Sequence, residues 1–168
     1  MERELSIMCT VAIFAYGTLR QGFCNHDAFC SEAVSIQHAA VRGRLYEFSS
    51  GIPVLEVPDK DIIAHGSVDI SKDIAVQQRL EARLPECLNR DSGDWQQIEG
   101  QLISLPDPAR TLPPIDRLEG ICPNGSSPYR RVLVLVKLSG GALTSAWCYV
   151  AYPAAARMLT PTFTTRWG

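Results

Sequence analysis

Tyr129-Arg-Arg-Val-Leu-Val-Leu-Val-Lys-Leu138, then Ser139-Gly-Gly141, then Ala142-Leu-Thr-Ser-Ala-Trp-Cys-Tyr-Val-Ala-Tyr152 is the stretch that decides the fold. Val132, Val134 and Val136 alternate with Leu133, Leu135 and Lys137, the period of a strand whose two faces meet different surroundings. Ser-Gly-Gly supplies a tight reversal, so 129–138 and 142–152 are expected to pair as a hairpin. Outward from this hairpin, Val11–Ala15 is a short apolar run that stops at Tyr16-Gly17 and reads as a buried strand. A strand is expected over 36–48, where Val41, Leu45 and Phe48 are spaced around Gly43. Extended structure resumes over 54–57, after Gly51 and Pro53. Further strands are expected over 62–70, with Gly66 as a bulge or close approach, and over 97–105, with Ile98, Leu102 and Leu105. Helical spacing covers 24–34, with Asn25 able to cap, and 73–84, with Ile74, Ala75, Leu80 and Leu84. Prolines 106, 108, 113 and 114 punctuate a loop into a short helical turn at 115–119. The sum is an α+β domain on a mixed or mostly antiparallel sheet, the kind that closes into a small β-barrel with flanking helices.

Composition narrows the function classes. Of 168 residues, 46% are hydrophobic and 20% charged, with a formal net charge of −2. These values suit one domain with a full core. Basic pairs such as Arg42/Arg44 and Arg130/Arg131 are isolated, so nucleic acid is not an expected partner. Glu2 and Glu4 followed by polar Thr10 do not make a secretory leader. No apolar run nears the roughly 20 residues of a membrane span. A cytoplasmic protein without a membrane partner is the expectation. Its six cysteines (9, 24, 30, 87, 122, 148) form no Cys-x-x-Cys pair and are expected to be reduced. Cys24, His26, Asp27 and Cys30 crowd one helical turn and match no zinc spacing, so no metal is expected. His65 reads as a half-buried strand histidine. The polar stretch 89–94 reads as turns. There is no Gly-x-Gly-x-x-Gly and no P-loop.

Two places carry chemistry. Tyr16-Gly17-Thr18-Leu19-Arg20 follows the first strand directly. Glycine there brings consecutive backbone N–H groups close to a ligand, a nest for an anion or developing oxyanion; read alone, it is also an ordinary strand-to-helix turn. Ile115-Asp-Arg-Leu-Glu119-Gly120 ends a helical turn between two strands. A lone glutamate there is a solvated surface carboxylate, whereas one with apolar neighbours has a raised pKa and can shuttle protons near neutrality.

Taken in order, the pieces resemble the γ-glutamylcyclotransferase-like family. Phe14-Ala-Tyr-Gly-Thr-Leu-Arg20 resembles its (F/Y)-x-Y-G-(S/T)-L opening. Gly43-Arg-Leu-Tyr46 with Gly51-Ile-Pro-Val54 is similar to its second strand pair, and Glu99-Gly-Gln-Leu102 to its x-G-x-(L/V) strand. Ile115–Gly120 resembles L-D-x-x-E-G, Tyr129-Arg-Arg-Val132 resembles Y-x-R-x-x-V, and Ala146-Trp-Cys-Tyr-Val150 resembles the closing A-W-x-Y-V. The resemblance implies a small mixed β-barrel with one cavity, Glu119 as catalytic acid–base, and Tyr16, Gly17, Thr18, Leu19, Tyr129 and Tyr149 as substrate contacts. It implies no metal and no organic cofactor. Arg20 is a further candidate, as partner of a substrate carboxylate or as a surface ion pair. The implied reaction converts a γ-glutamyl amide or peptide to 5-oxoproline and a free amine; a binding protein of the same fold without turnover is the alternative. The chain reads as a single domain, 1–168. Against compact members, 71–97 looks like an insertion covering the cavity mouth, and 122–128 is a longer loop. Prolines 113 and 114 are expected to shorten the helix before Glu119, and 153–168 to be an irregular tail.

Overall fold

The computed structural model of the chain describes residues 9–84, 94–121, 127 and 129–168. Its strands are β1 (Thr10–Ala15), β2 (Ser35–Glu47), β3 (Pro53–Glu56), β4 (Ile62–His65), β5 (Gln96–Pro106), β6 (Tyr129–Leu138), β7 (Leu143–Ala151) and β8 (Thr160–Pro161). Its helices are α1 (His26–Phe29), α2 (Ile70–Glu81), α3 (Pro108–Leu118) and α4 (Pro153–Ala156). The expected hairpin is present: β6 and β7 run antiparallel in unbroken register from Tyr129↔Ala151 to Lys137↔Leu143.

Strands run β2-β5-β1-β7-β6, and β6 meets β2 again at Ala39↔Leu138 and Ala40↔Lys137. The five therefore close a barrel. Among the described residues only the β1–β7 contact is parallel, which makes the barrel mixed. Closure leaves no free edge on the ring, and β3, β4 and β8 extend the sheet outside it.

Alternation sorts side chains between two cores. Phe14, Val41, Ile98, Val132, Val134, Ala146, Cys148 and Val150 pack together as the barrel filling. Their neighbours Ile13, Ile103, Leu133, Trp147 and Tyr149 form the other core with Ile74 of α2 and Leu112 and Ile115 of α3. Trp147 is fully buried, and its indole N–H is satisfied by Gln77 Oε1 at 3.0 Å. The helix of the stretch set apart as an insertion is thus part of the outer core. The 89–94 turns lie outside the described residues except Asp94, and the 122–128 loop except Ser127.

Several expectations need correction. The strand expected over 62–70 ends at His65, which is exposed rather than half-buried. Asp69 then caps α2 by accepting from the Lys72 N–H, starting the helix three residues earlier than expected. Gly66 is a close approach: a Cβ there would sit 2.8 Å from the Arg131 carbonyl oxygen. Over 24–34 only a single turn is helical, and Asn25 spends its side chain on Thr18 Oγ1 instead of capping. Prolines 113 and 114 do not shorten α3, which runs eleven residues with both inside. Each proline removes an N–H that would reach back four residues. The carbonyls so deprived belong to Ala109 and Arg110, both exposed residues, where a lost bond costs less than it does in a core. Pro108 stands where a helix favours proline, at its first position. The tail 153–168 is not irregular throughout. It holds α4 and β8, and it returns to the barrel through Thr162 N–H to Leu45 O and Glu99 N–H to Thr165 O.

Candidate active site

Helix α3 determines where Glu119 stands. Leu112 and Ile115, three apart on one face, are fully buried against the barrel. The helix stops in a Schellman arrangement: Gly120 N–H bonds Arg117 O, Ile121 N–H bonds Asp116 O, and Gly120 has φ +72°. Only glycine takes that conformation without strain. Glu119, immediately before it, still donates its N–H to Ile115 O at 2.9 Å. The Glu-Gly pair is therefore a helix stop that delivers a carboxylate to a fixed point at the end of the barrel.

That point is a cleft of about 50 Å³ lined by Phe14 to Leu19, Ile52, Pro53, Glu119 and Tyr149. Burial, and secondarily the nearby charge of Asp116, push the Glu119 carboxyl up from 4.5 to about 7. The loop that follows β1, Tyr16-Gly17-Thr18-Leu19, lines the same cleft. Among the described residues the N–H groups of Gly17, Thr18 and Leu19 donate to nothing. Three consecutive unbonded donors on a loop that lines a cleft are candidates to hold an anion. Gly17 has no positive φ; its need is space, since a Cβ would meet Pro53 Cγ at 3.0 Å across the cleft.

The remaining candidates divide. Tyr16 lines the cleft, but its phenol donates to Tyr149 O at 2.8 Å and is buried in the barrel filling. Tyr149 is 4% exposed and donates to Asp116 Oδ1 at 2.6 Å. The two hydroxyls are committed to holding the cleft wall. Tyr129 is half-buried, packed edge-on to Phe48, with its phenol pushed up to about 12 by burial and by the Glu119 charge. It lines an adjoining hollow of about 650 Å³, together with Asp116, Arg130 and Tyr152. Arg20, considered as a carboxylate partner, is buried and engaged: Nε reaches Gly17 O at 3.3 Å and Nη2 donates to Trp167 O.

Sequence reasoning assigned no role to Asp116, Arg131 or Asp73. Arg131 Nε donates to Asp116 Oδ1 at 2.9 Å, Nη1 to Asp73 Oδ2 at 3.0 Å and Nη2 to Ser67 O at 2.9 Å. Asp73 also accepts from the Ser67 N–H and hydroxyl, both at 2.8 Å. The chain Tyr149–Asp116–Arg131–Asp73 joins β7, α3, β6 and α2 beneath Glu119. Asp116 and Arg131 occupy the D of the L-D-x-x-E-G string and the R of Y-x-R, so the signal was on the page. What was missing was any reason to pair them.

A carboxyl pushed up to about 7 that shares a narrow cleft with free N–H donors can move a proton while negative charge is held beside it. That is the equipment for acid–base chemistry at a carbonyl. Among the described residues no group of three or more His, Cys, Asp or Glu is arranged to hold a metal, and no helix is long and apolar enough to cross a membrane.

Comparison with known proteins agrees with this architecture. The crystal structure of YkqA from Bacillus subtilis superposes with a TM-score of 0.54 at 18% identity, over 95% of this chain and 40% of that one. The chain thus spans well under half of YkqA's length, and the likeness is one of fold. A second structure, c4763, a uropathogenic E. coli-specific protein, aligns over 92% of this chain and 89% of its own with a TM-score of 0.48 and 13% identity. No curated protein matches the chain. The family described as gamma-glutamyl cyclotransferase, AIG2-like, matches residues 13–82 and 72–167, two segments that overlap within α2. With the strand-end loop, the Glu-Gly helix stop and all of the barrel but the first three residues of β1 inside the matched residues, the chain belongs to the gamma-glutamyl cyclotransferase, AIG2-like family.

Proposed function

We propose that the protein cyclises a γ-glutamyl amide or peptide to 5-oxoproline, releasing an amine, with Glu119 moving the proton. The observation that carries this reading is the Glu119 carboxyl raised to about 7 in a cleft shared with three unbonded N–H donors. An α-ammonium titrates near ~8, so a base of pKa about 7 is well matched to take its proton. The freed amine attacks the γ-carbonyl of the same molecule, forming the ring C–N bond. The carbonyl oxygen takes up negative charge, which the Gly17–Leu19 N–H groups stabilise. The carboxyl then returns that proton to the leaving nitrogen as the charged oxygen collapses and the original C–N bond breaks, and the regenerated carboxylate takes the second proton from the ring nitrogen, leaving the neutral lactam and passing that proton to the released amine. Nucleophile and electrophile lie in one molecule, so no acyl-enzyme and no bound water nucleophile is required.

The test is a panel of γ-glutamyl amides and peptides, assayed for 5-oxoproline by mass spectrometry with wild type and Glu119→Gln. Turnover by wild type and a loss of roughly a hundredfold or more in the variant are expected. Near-normal cyclisation by a folded Glu119→Gln protein removes the proposal. So does saturable binding of these compounds with no product from wild type, the behaviour of a binding protein.

A further inference from the structure

Both walls of the cleft are tied to one residue of the tail, and nothing in the chemistry above uses that residue. Trp167 donates its indole N–H to Gly51 O at 3.1 Å. Gly51 immediately precedes Ile52 and Pro53, which line one side of the cleft. The Trp167 carbonyl oxygen accepts from Arg20 Nη2, and the Arg20 guanidinium lies 4.4 Å from the Phe23 ring centre and 5.8 Å from that of Trp167. Phe23 and Trp167 pack with ring centres 5.2 Å apart. Arg20 in turn holds the opposite wall. Its N–H at 3.1 Å and its Nε at 3.3 Å both converge on Gly17 O. In a trans peptide C=O and N–H point in opposite directions. Fixing the Gly17 carbonyl toward Arg20 therefore aims the Thr18 N–H the other way.

The cleft's size gives this strap a task. The cleft is small, about 50 Å³, and both walls border it. A Cβ on Gly17 would meet Pro53 Cγ at 3.0 Å, so the spacing between the Ile52–Pro53 wall and the Gly17 loop sets the width available to substrate. We propose that Trp167 is a positioning residue for the reaction: its indole N–H holds the Ile52–Pro53 wall, and its ring, packed on Phe23 and beside the Arg20 guanidinium, keeps Arg20 where it orients the Gly17–Thr18 peptide. This rests on the cyclisation reading for its kinetic consequence, but the mechanical claim stands on the contacts alone.

The experiment compares wild type, Trp167→Ala and Trp167→Phe by hydrogen exchange and by cyclisation kinetics on the best γ-glutamyl substrate. In Trp167→Ala, exchange is expected to accelerate in both 16–23 and 48–53, with β6 and β7 unchanged. In Trp167→Phe, which keeps an aromatic ring but has no N–H for Gly51, only 48–53 accelerates. Trp167→Ala is expected to lose about tenfold in kcat/KM, and Trp167→Phe to lose mainly through KM. Exchange unchanged in either wall of Trp167→Ala, acceleration spread over the barrel, or kcat/KM within twofold of wild type overturns the proposal. If Trp167→Ala does not fold, Trp167→Phe alone decides, by whether 48–53 loosens. A wild type that loosens as described on substitution yet makes no 5-oxoproline refutes the cyclisation reading and leaves the strap standing.

Discussion

Glu119→Gln should stabilise the protein above neutral pH, and the size of the effect follows from the site. In the folded state the carboxyl titrates at about 7, against 4.5 when unperturbed. One unit of pKa corresponds to about 1.4 kcal/mol, so an ionised Glu119 costs the native state about 3 kcal/mol. The sign follows from proton binding. Between pH 4.5 and 7 the unfolded chain has released this proton while the folded chain retains it, so stability falls as pH rises. Below 4.5 both states hold the proton and the cost vanishes; above about 7 it is complete. Glutamine never ionises, so the variant escapes the whole decline. Urea unfolding of both proteins at pH 4.5, 6 and 8 is the assay, read as the difference between their free energies of unfolding. That difference should grow in favour of glutamine by about 3 kcal/mol between pH 4.5 and 8, while the same variant loses turnover. Parallel stability profiles for the two proteins would falsify the buried-carboxyl argument, whatever happens to activity.

Asp116→Asn keeps an oxygen to accept from Tyr149 and Arg131 but removes the like charge that is the second cause of the raised Glu119 carboxyl. The acid limb of the kcat/KM profile should move to lower pH yet stay above 4.5, because burial is the larger cause; a limb that stays put or moves up refutes this. Arg131→Met strands the Asp73 carboxylate, 4% exposed at its side chain, with Asp116 beside it. Breaking such a buried pair costs about 3–5 kcal/mol, measurable as a lowered urea midpoint, and Arg131→Lys should rescue only part of it because an ammonium cannot span the same three acceptors.

Local pattern reached a long way in this chain. Valines alternating with leucines over 132–136, with Ser-Gly-Gly behind them, carry their own instruction to form β6 and β7, because strand period and turn chemistry are properties of neighbouring residues. Glu119 followed by Gly120 was legible for the same reason: a helix needs a stop, and a glycine with positive φ provides it. Helix α3 was misread where local rules were followed too literally. Prolines 113 and 114 argue for an ended helix until one knows that the deprived carbonyls belong to exposed residues and that Leu112 and Ile115 are anchored in a core.

The rest was decided only when distant segments met. Asp73, Asp116 and Arg131 are each unremarked charges in sequence; their pairing depends on α2, α3 and β6 converging on one buried point, where an unpaired charge is too costly to leave. Arg20 reads as a surface cation near a loop, and only the return of the tail puts Trp167 beside it. Glu119 itself is an ordinary carboxylate by composition. Its raised pKa arises because the folded barrel takes away water that the carboxylate has in the unfolded chain, and no stretch of sequence contains that desolvation.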